Sequence, residues 1–315
     1  MNNSDIYDLV IIGGGPAGLS AGLYAGRLGL NAILIERALI GGMAALTDNI
    51  DNFPTSPKDG TTGTELTQKI LSQALNAGTK QVQNNINKIE KENNIFIIHA
   101  DYSPHIYKAY SIVIASGCEP KKLGLPGEDK YLGKGISYCA VCDGPFFKEK
   151  DIAVIGGGNS ALKEAIFLTR FANKVYVIHR RDEFRATKDV QEKVLKNERI
   201  ILLKSSIAKE IQGHTHVEKL IIEDIKINKT SELNVSGIFF YVGFTPNLGF
   251  AKNLNLKCDE EGYIITDEEM ATNIQGIYAA GDIRYKPLKQ VITACSDGAI
   301  ATYSSNKYIE KLKVS

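Results

Sequence analysis

Residues 7–37 read YDLVIIGGGPAGLSAGLYAGRLGLNAILIER. A short β-branched run meets three consecutive glycines. The chain then continues through apolar residues at helical spacing and closes on a second apolar run ended by Glu36 and Arg37. Strand, glycine turn, helix and strand in that order make a βαβ unit. Gly13, Gly15 and Gly18 fill the three places of G-x-G-x-x-G, with Pro16 and Ala17 between the last two. The first glycine permits a tight turn, the second lets backbone approach a pyrophosphate, and the third lets the helix pack on the strand with its N-terminal dipole toward the phosphates. A glycine fingerprint alone is weak, because turns use glycine for many reasons. The flanking strands, and Glu36 placed to take a ribose diol, supply the context it needs.

The pattern recurs. Residues 150–180 read KDIAVIGGGNSALKEAIFLTRFANKVYVIHR, with Gly156, Gly158 and Ala161 in the accepted G-x-G-x-x-A form and Asn159 and Ser160 in the loop. His179 stands at the offset that Glu36 has in the first copy, so the acid is gone, and Arg180, Arg181 and Arg185 follow at once. A carboxylate would repel a ribose 2′-phosphate, whereas guanidinium grips it with paired hydrogen bonds. The first copy therefore suits FAD, and the second suits NADPH over NADH. A run of arginines is ordinarily a solvated charged face; its place in a matched repeat is what favours the phosphate.

Length and composition fit two such units. A chain of 315 residues exceeds the size at which one core keeps growing, and 43% apolar with 23% charged residues is ordinary for a globular protein. The 37 basic and 36 acidic residues leave a formal charge of +1, so no overall field recruits nucleic acid or an anionic membrane. The opening MNNSDIYDLVIIGGGPAG has an apolar run of only a few residues, unlike a signal peptide or a membrane span. Cysteines at 118, 139, 142, 258 and 295 are odd in number and sparse, unlike a secreted disulfide scaffold. A cytoplasmic setting is expected.

Two of those cysteines lie in SYCAVCDG, residues 137–144. Zinc wants four ligands, yet the chain has no second C-x-x-C, and His214 and His216 in GHTH read as an exposed turn. A structural bridge over two residues removes little chain entropy, and a cytoplasmic thiol pool would reduce it. A redox couple remains. Flavin, hydride donor and dithiol in one chain make an electron path, with Asp143 placed to manage the proton of a leaving thiolate.

Six stretches in order carry a resemblance along essentially the whole chain: GGGPAG from 13, NFP from 52, CAVCDG from 139, GGGNSA from 156, HRRDEFRA from 179 and GIYAAGDI from 276. Together they resemble the low-molecular-weight, bacterial-type thioredoxin reductases, within the class II pyridine nucleotide-disulfide oxidoreductases. The resemblance implies an α/β chain of two Rossmann-like, doubly wound, three-layer dinucleotide-binding domains, the NADPH domain inserted in the FAD domain. Expected boundaries are 1–117 and 244–315 for the FAD domain and 118–243 for the NADPH domain with the dithiol. It further implies that Gly42, Asn52, Gly281 and Asp282 hold FAD, with Lys289, Gln290 and Val291 near its ring system. Cys142 is then the flavin-facing cysteine, Cys139 the one that attacks a thioredoxin disulfide, and Asp143 the acid–base group. Family members are homodimers that rotate one domain against the other, and electrons run from NADPH through FAD and the Cys139/Cys142 pair to thioredoxin.

The chain departs from the family in places. Met43 stands where a glutamine is common, and Lys289-Gln290 where Arg-Gln is usual, keeping charge but not bidentate geometry. Lys163 replaces a frequent glutamate and reads as a surface change. Cys118 and Cys295 read as small buried hydrophobes, and Cys258 as a loop thiol. Rival readings keep the fold and change the acceptor or donor: a ferredoxin- or flavodoxin-NADP reductase has no use for CAVCDG, a ferredoxin-fed enzyme none for the arginines, and a reductase of a dedicated peroxide-reducing partner often brings an extra N-terminal domain. A non-catalytic nucleotide-binding sensor would not need a complete electron path.

Overall fold

The computed structural model describes residues 6–47 and 49–314, so the first five residues of the polar leader lie outside it. The chain divides into two units, 1–119 with 245–315 and 120–244. In the first unit β1 (Ile6–Ile12) leads through the glycine turn into α1 (Pro16–Arg27) and β2 (Ala32–Glu36). The helices α2 (Gly42–Ala45) and α3 (Gly63–Asn76) follow, then β3 (Lys80–Gln83), β4 (Ile86–Glu92), β5 (Ile95–Ala100), β6 (Ile106–Ile114) and β7 (Cys118–Pro120). The second unit holds β8 (Ile136–Ser137), α4 (Ala140–Asp143), β9 (Asp151–Ile155), α5 (Asn159–Leu168), β10 (Lys174–His179), α6 (Lys188–Leu195) and β11 (Ile200–Lys204). It continues with β12 (Ser206–Gln212), β13 (Lys219–Asp224), β14 (Lys229–Asn234) and β15 (Gly237–Phe240), and the chain then runs through β16 (Phe244–Pro246) to β17 (Ile277–Ala279) and α7 (Val291–Val314) of the first unit.

The central strands of both units are built alike. Leu9 and Ile11 of β1 face one core while Val10 and Ile12 face another. In β9, Ile152 and Val154 face one core and Ala153 and Ile155 the other. Alternation of two apolar sets, both buried, is what a parallel strand between two layers requires. The parallel strands run β3-β2-β1-β6 with β17 on β6 in the first unit and β11-β10-β9-β15-β8 in the second; in the first, the N-terminal half of the long β6 also pairs antiparallel with β5, carrying the sheet on into β5 and β4.

One face of each sheet carries helices. Leu9 and Ile11 meet Ala17, Leu19, Ala21 and Ala25 of α1 and Ala294 and Ala301 of α7, small residues that let the helices approach closely. Ile152 and Val154 meet Ala161, Leu162 and Ala165 of α5 and Val190 and Val194 of α6. The other face is covered by antiparallel strands: Phe96 and Ile98 of β5 with Ile86 and Ile89 of β4 in the first unit, and the β12-β13-β14 meander, through Ala208, Leu220 and Ile222, in the second. Each unit is thus a three-layer α/β sandwich.

The unit edges fall at 119/120 and 244/245, against expected edges at 117/118 and 243/244. β7 and β16 form a two-stranded ribbon at the crossings, each strand straddling an edge. Cys118, expected at the start of the inserted domain, therefore belongs to the first unit, where it is buried.

Candidate functional site

The first glycine turn shows why its residues are what they are. Gly13 has φ 109°, and a Cβ there would lie 2.3 Å from the Ala115 carbonyl oxygen, so the turn both needs positive φ and has no room for a side chain. A Cβ on Gly18 would lie 1.8 Å from the Gly13 carbonyl oxygen, which fixes how closely α1 packs on its own turn. Gly15 differs: nothing lies within 4 Å of its missing Cβ, so the N-terminus of α1, with Pro16 at its first turn, opens onto free space. The Glu36 carboxylate accepts the Gly14 N–H at 2.6 Å and the Ala38 N–H at 2.8 Å, holding it at the rim of the turn.

Distant residues converge on the same opening. A Cβ on Gly42 would sit 3.3 Å from the Gly15 Cα, and one on Gly281 2.8 Å from the Ala17 Cβ. The Asn52 amide donates to the Gln290 side chain at 3.1 Å. Asp282 is half-buried, its buried Oδ1 finds no partner among the described residues, and burial raises its pKa above the usual carboxylate range. An orphaned buried acceptor beside an open helix N-terminus fits a ligand that brings hydroxyl groups and a pyrophosphate. Lys289 lies 3.2 Å above the Tyr263 ring, and burial lowers its pKa. Val291 opens α7, and Met43 is exposed in α2.

The second glycine turn repeats the plan. No atom lies within 4 Å of a Cβ on Gly158, so the N-terminus of α5 is open where Asn159 and Ser160 begin it. The Asn159 side chain accepts the Thr187 N–H at 2.9 Å. Arg180, Arg181 and Arg185 are exposed, and the backbone N–H of Arg185 donates to the Gly157 carbonyl at 2.9 Å, which ties that residue's main chain to the turn. Among the described residues none of the three guanidiniums enters a salt bridge. His179 is only 6% exposed: its ring stacks on Phe184 at 5.1 Å, donates from Nε2 to the Glu183 carbonyl at 3.0 Å, and lies where a Cβ on Gly157 would be. Burial lowers its pKa, with the three arginines adding to the shift and the bond to the Glu183 carbonyl opposing it.

Cys139 and Cys142 form a disulfide with Cα atoms 5.3 Å apart. Cys139 caps α4: its Sγ accepts the Cys142 N–H at 3.2 Å, and its own N–H donates to Ser137 Oγ at 3.0 Å. The Ala140 N–H between them donates to the Tyr241 hydroxyl at 2.8 Å. A Cβ on Gly144 would meet Leu168 Cδ2 at 3.1 Å, so the end of this turn packs on α5, the helix that starts at the second glycine turn. Both sulfurs and Asp143 belong to half-buried residues.

Of the remaining cysteines, Cys118 is buried, while Cys258 and Cys295 are half-buried; Cys118 and Cys295 are each pushed up to about 11, burial being the main cause. His214 and His216 are exposed, as is Lys163. Two groups had no motif to announce them. Asp297 of α7 accepts the Gly281 N–H at 3.0 Å and pairs with Arg284 and Lys286; its only sequence signal is an acid among the mostly small residues of that helix's first half. Tyr241 is the other.

A family model for pyridine nucleotide-disulphide oxidoreductases matches residues 7–298. Over 312 residues, covering 97% of this chain and 98% of the relative, the sequence is 41% identical to a thioredoxin reductase of Peptoclostridium acidaminophilum. It is 40% identical over 314 residues to the thioredoxin reductase of Bacillus subtilis, covering 99% and 98%. The crystal structure of thioredoxin reductase from Streptococcus pyogenes superposes with a TM-score of 0.92 at 41% identity, over 98% of this chain and 100% of that one.

Proposed function

Because the chain belongs to the pyridine nucleotide-disulphide oxidoreductase family, we propose that it works as a thioredoxin reductase and that the Cys139–Cys142 disulfide is where its electrons leave. It is a flavoprotein oxidoreductase that uses a pyridine nucleotide. The finer assignment is FAD on the first glycine turn and NADPH on the second. FAD is supported by Glu36 at the rim, the open α1 N-terminus and the orphaned Asp282 oxygen. NADPH is supported by Arg180, Arg181 and Arg185 where an acid would otherwise reach the ribose. Gly13, Gly15, Pro16, Ala17, Gly18, Gly42, Asn52, Gly281, Asp282, Lys289, Gln290 and Val291 would hold or border FAD; Gly156, Gly158, Asn159 and Ser160 would take the NADPH pyrophosphate. His179 acts from beneath, shaping the turn through its ring.

When bound, FAD supplies the two-electron exchange between NADPH and the disulfide. The chain's own chemistry is thiol–disulfide exchange. Two electrons and two protons break the Cys139–Cys142 bond and leave two thiols. Cys139, as thiolate, attacks one sulfur of the thioredoxin disulfide, forming a mixed disulfide and releasing one thioredoxin thiolate, which takes a proton. Cys142 then attacks Cys139 Sγ, releases the second thioredoxin thiol and restores the original bond. The Cys142 N–H already points at Cys139 Sγ, so it favours negative charge on that sulfur and supports Cys139 as the attacking group. Asp143, next in the chain, takes and returns the protons. The net change is thioredoxin disulfide, NADPH and a proton giving thioredoxin dithiol and NADP+.

A homodimer in the cytoplasm belongs to the same proposal, supported by the family resemblance and the sparse, odd cysteine set. Among the described residues no helix is long and apolar enough to cross a membrane. The half-buried disulfide on α4 carries the reading. The test is NADPH oxidation by the purified protein with thioredoxin and insulin as terminal acceptor, beside Cys142→Ser. Rapid turnover that vanishes in the variant is expected. A flavin that bleaches with NADPH but delivers nothing to thioredoxin would overturn the acceptor.

A further inference from the structure

Tyr241 has no part in the exchange just described, yet it touches both of the second unit's chemical sites. It follows β15, and its N–H donates to the Ile155 carbonyl at 2.8 Å, just where β9 runs into the second glycine turn. Its own carbonyl oxygen lies 2.6 Å from the place of a Cβ on Gly156, so its main chain is the wall of that turn. Its hydroxyl accepts the Ala140 N–H at 2.8 Å. That N–H opens α4, and a first-turn N–H has no acceptor within its own helix. Burial raises the phenol's pKa, with the Glu164 and Asp143 carboxyls adding to it, so the hydroxyl stays a neutral acceptor across the working pH range.

We propose that Tyr241 is a positioning residue for the redox pair: its hydroxyl pins the Cys139–Cys142 turn to the wall of the second glycine turn and thereby favours closure of the two thiols into the disulfide. The inference rests on the redox reading of that pair. Closing a disulfide costs the freedom of the segment between the sulfurs. The pin holds the turn in its closed shape and is given up as the turn opens, so removing it shifts the equilibrium toward the open dithiol by about the worth of that bond.

The test uses the full-length, FAD-loaded protein and Tyr241→Phe, which keeps the ring and deletes only the hydroxyl. Both are equilibrated over a range of glutathione ratios, trapped by alkylation, and the Cys139/Cys142 state is read by mass. Two glutathione thiols give up two electrons and two protons and join as glutathione disulfide while the protein disulfide opens to two thiols. The variant's closure constant should fall about fivefold, roughly 20 mV for this two-electron couple, the worth of one ordinary neutral hydrogen bond. A bystander role would move the melting temperature and leave the glutathione ratio where it is. A wild type that titrates and a variant that matches it within twofold would therefore sink the role of Tyr241 alone. A wild-type pair that answers to no glutathione ratio would overturn the redox reading and this inference with it. Should the variant not fold, Ala140 amide exchange in the oxidised wild type decides: exchange slowed at least tenfold relative to a free amide supports the pin, and exchange at the free rate overturns it.

Discussion

Asp297→Asn isolates a buried charge that no motif announces. Asp297 Oδ2 accepts from Lys286 Nζ at 2.7 Å and from the Gly281 N–H at 3.0 Å, while Oδ1 faces Arg284 at 3.2 Å. Side-chain exposure is 8% for Asp297, 5% for Lys286 and 14% for Arg284. The substitution keeps the shape and one acceptor oxygen but removes the charge, leaving the Lys286 ammonium, where water hardly reaches it, with only the Asp282 carboxyl nearby, whose own burial disfavours its charge. Breaking a buried pair from one side costs about 3–5 kcal/mol. Arg284 keeps its bond to Thr266 Oγ1 at 2.8 Å, and the amide oxygen can still serve Gly281, so the low end, about 3 kcal/mol, is expected. Urea unfolding followed by far-ultraviolet circular dichroism reads it as a lower midpoint at unchanged slope in the transition of the first unit. Because the Gly281 N–H is then held by a neutral amide oxygen in place of a carboxylate, flavin retention should fall as well. Adding Lys286→Met removes the stranded cation and should restore more than half of the loss. A loss under about 1 kcal/mol, or no recovery in the double variant, would refute the account of a stranded ammonium.

Two further outcomes are open to direct measurement. Arg180→Ala with Arg181→Ala should raise KM for NADPH much more than for NADH; equal changes would defeat the assignment of the second turn. Cys118 and Cys295, held near 11 by burial, should be almost inert to iodoacetamide in the folded protein at pH 8, with a thiolate fraction on the order of one in a thousand, and labelling should climb about tenfold per pH unit. The sign for stability follows: folded pKa values above the unfolded thiol value make a contribution that is whole below about pH 8.5 and is lost as pH rises toward 11. Labelling of Cys295 at the pace of an exposed thiol at pH 8 would contradict it.

Much of this was legible because the informative residues are local. β1 and β9 announce themselves as apolar runs ending in glycine turns, and those turns work through backbone geometry that a few neighbours dictate. The redox pair is legible for the same reason, two sulfurs three positions apart. What stayed hidden depends on long-range partners. The antiparallel layers on the second face of each sheet are ordinary alternating strands whose placement no motif fixes. Asp297 matters because Lys286 and Arg284 fold onto it, and Tyr241 because its hydroxyl meets Ala140, 101 positions earlier in the chain. His179 is instructive: its offset matched Glu36, and the structure keeps that equivalence beneath the turn, with a buried ring where the first copy has a rim carboxylate. The ribbon at the crossings stayed hidden too, because paired backbone of three residues a strand carries no sequence signature.

That ribbon has an architectural consequence. Lys121 donates to the Gly243 carbonyl at 2.9 Å within the inserted unit, and Asn247 to the Gly117 carbonyl at 3.0 Å within the surrounding one. Each unit therefore has its two severed ends side by side and already tied by its own hydrogen bond. A segment whose ends meet behaves as a cassette: residues 120–244 can be lifted out and the gap closed by a short linker, without drawing a strand from either parallel sheet. The same closeness of ends makes the insertion itself easy to understand, since a segment inserted in a chain spares the host fold only when it leaves the chain near where it entered.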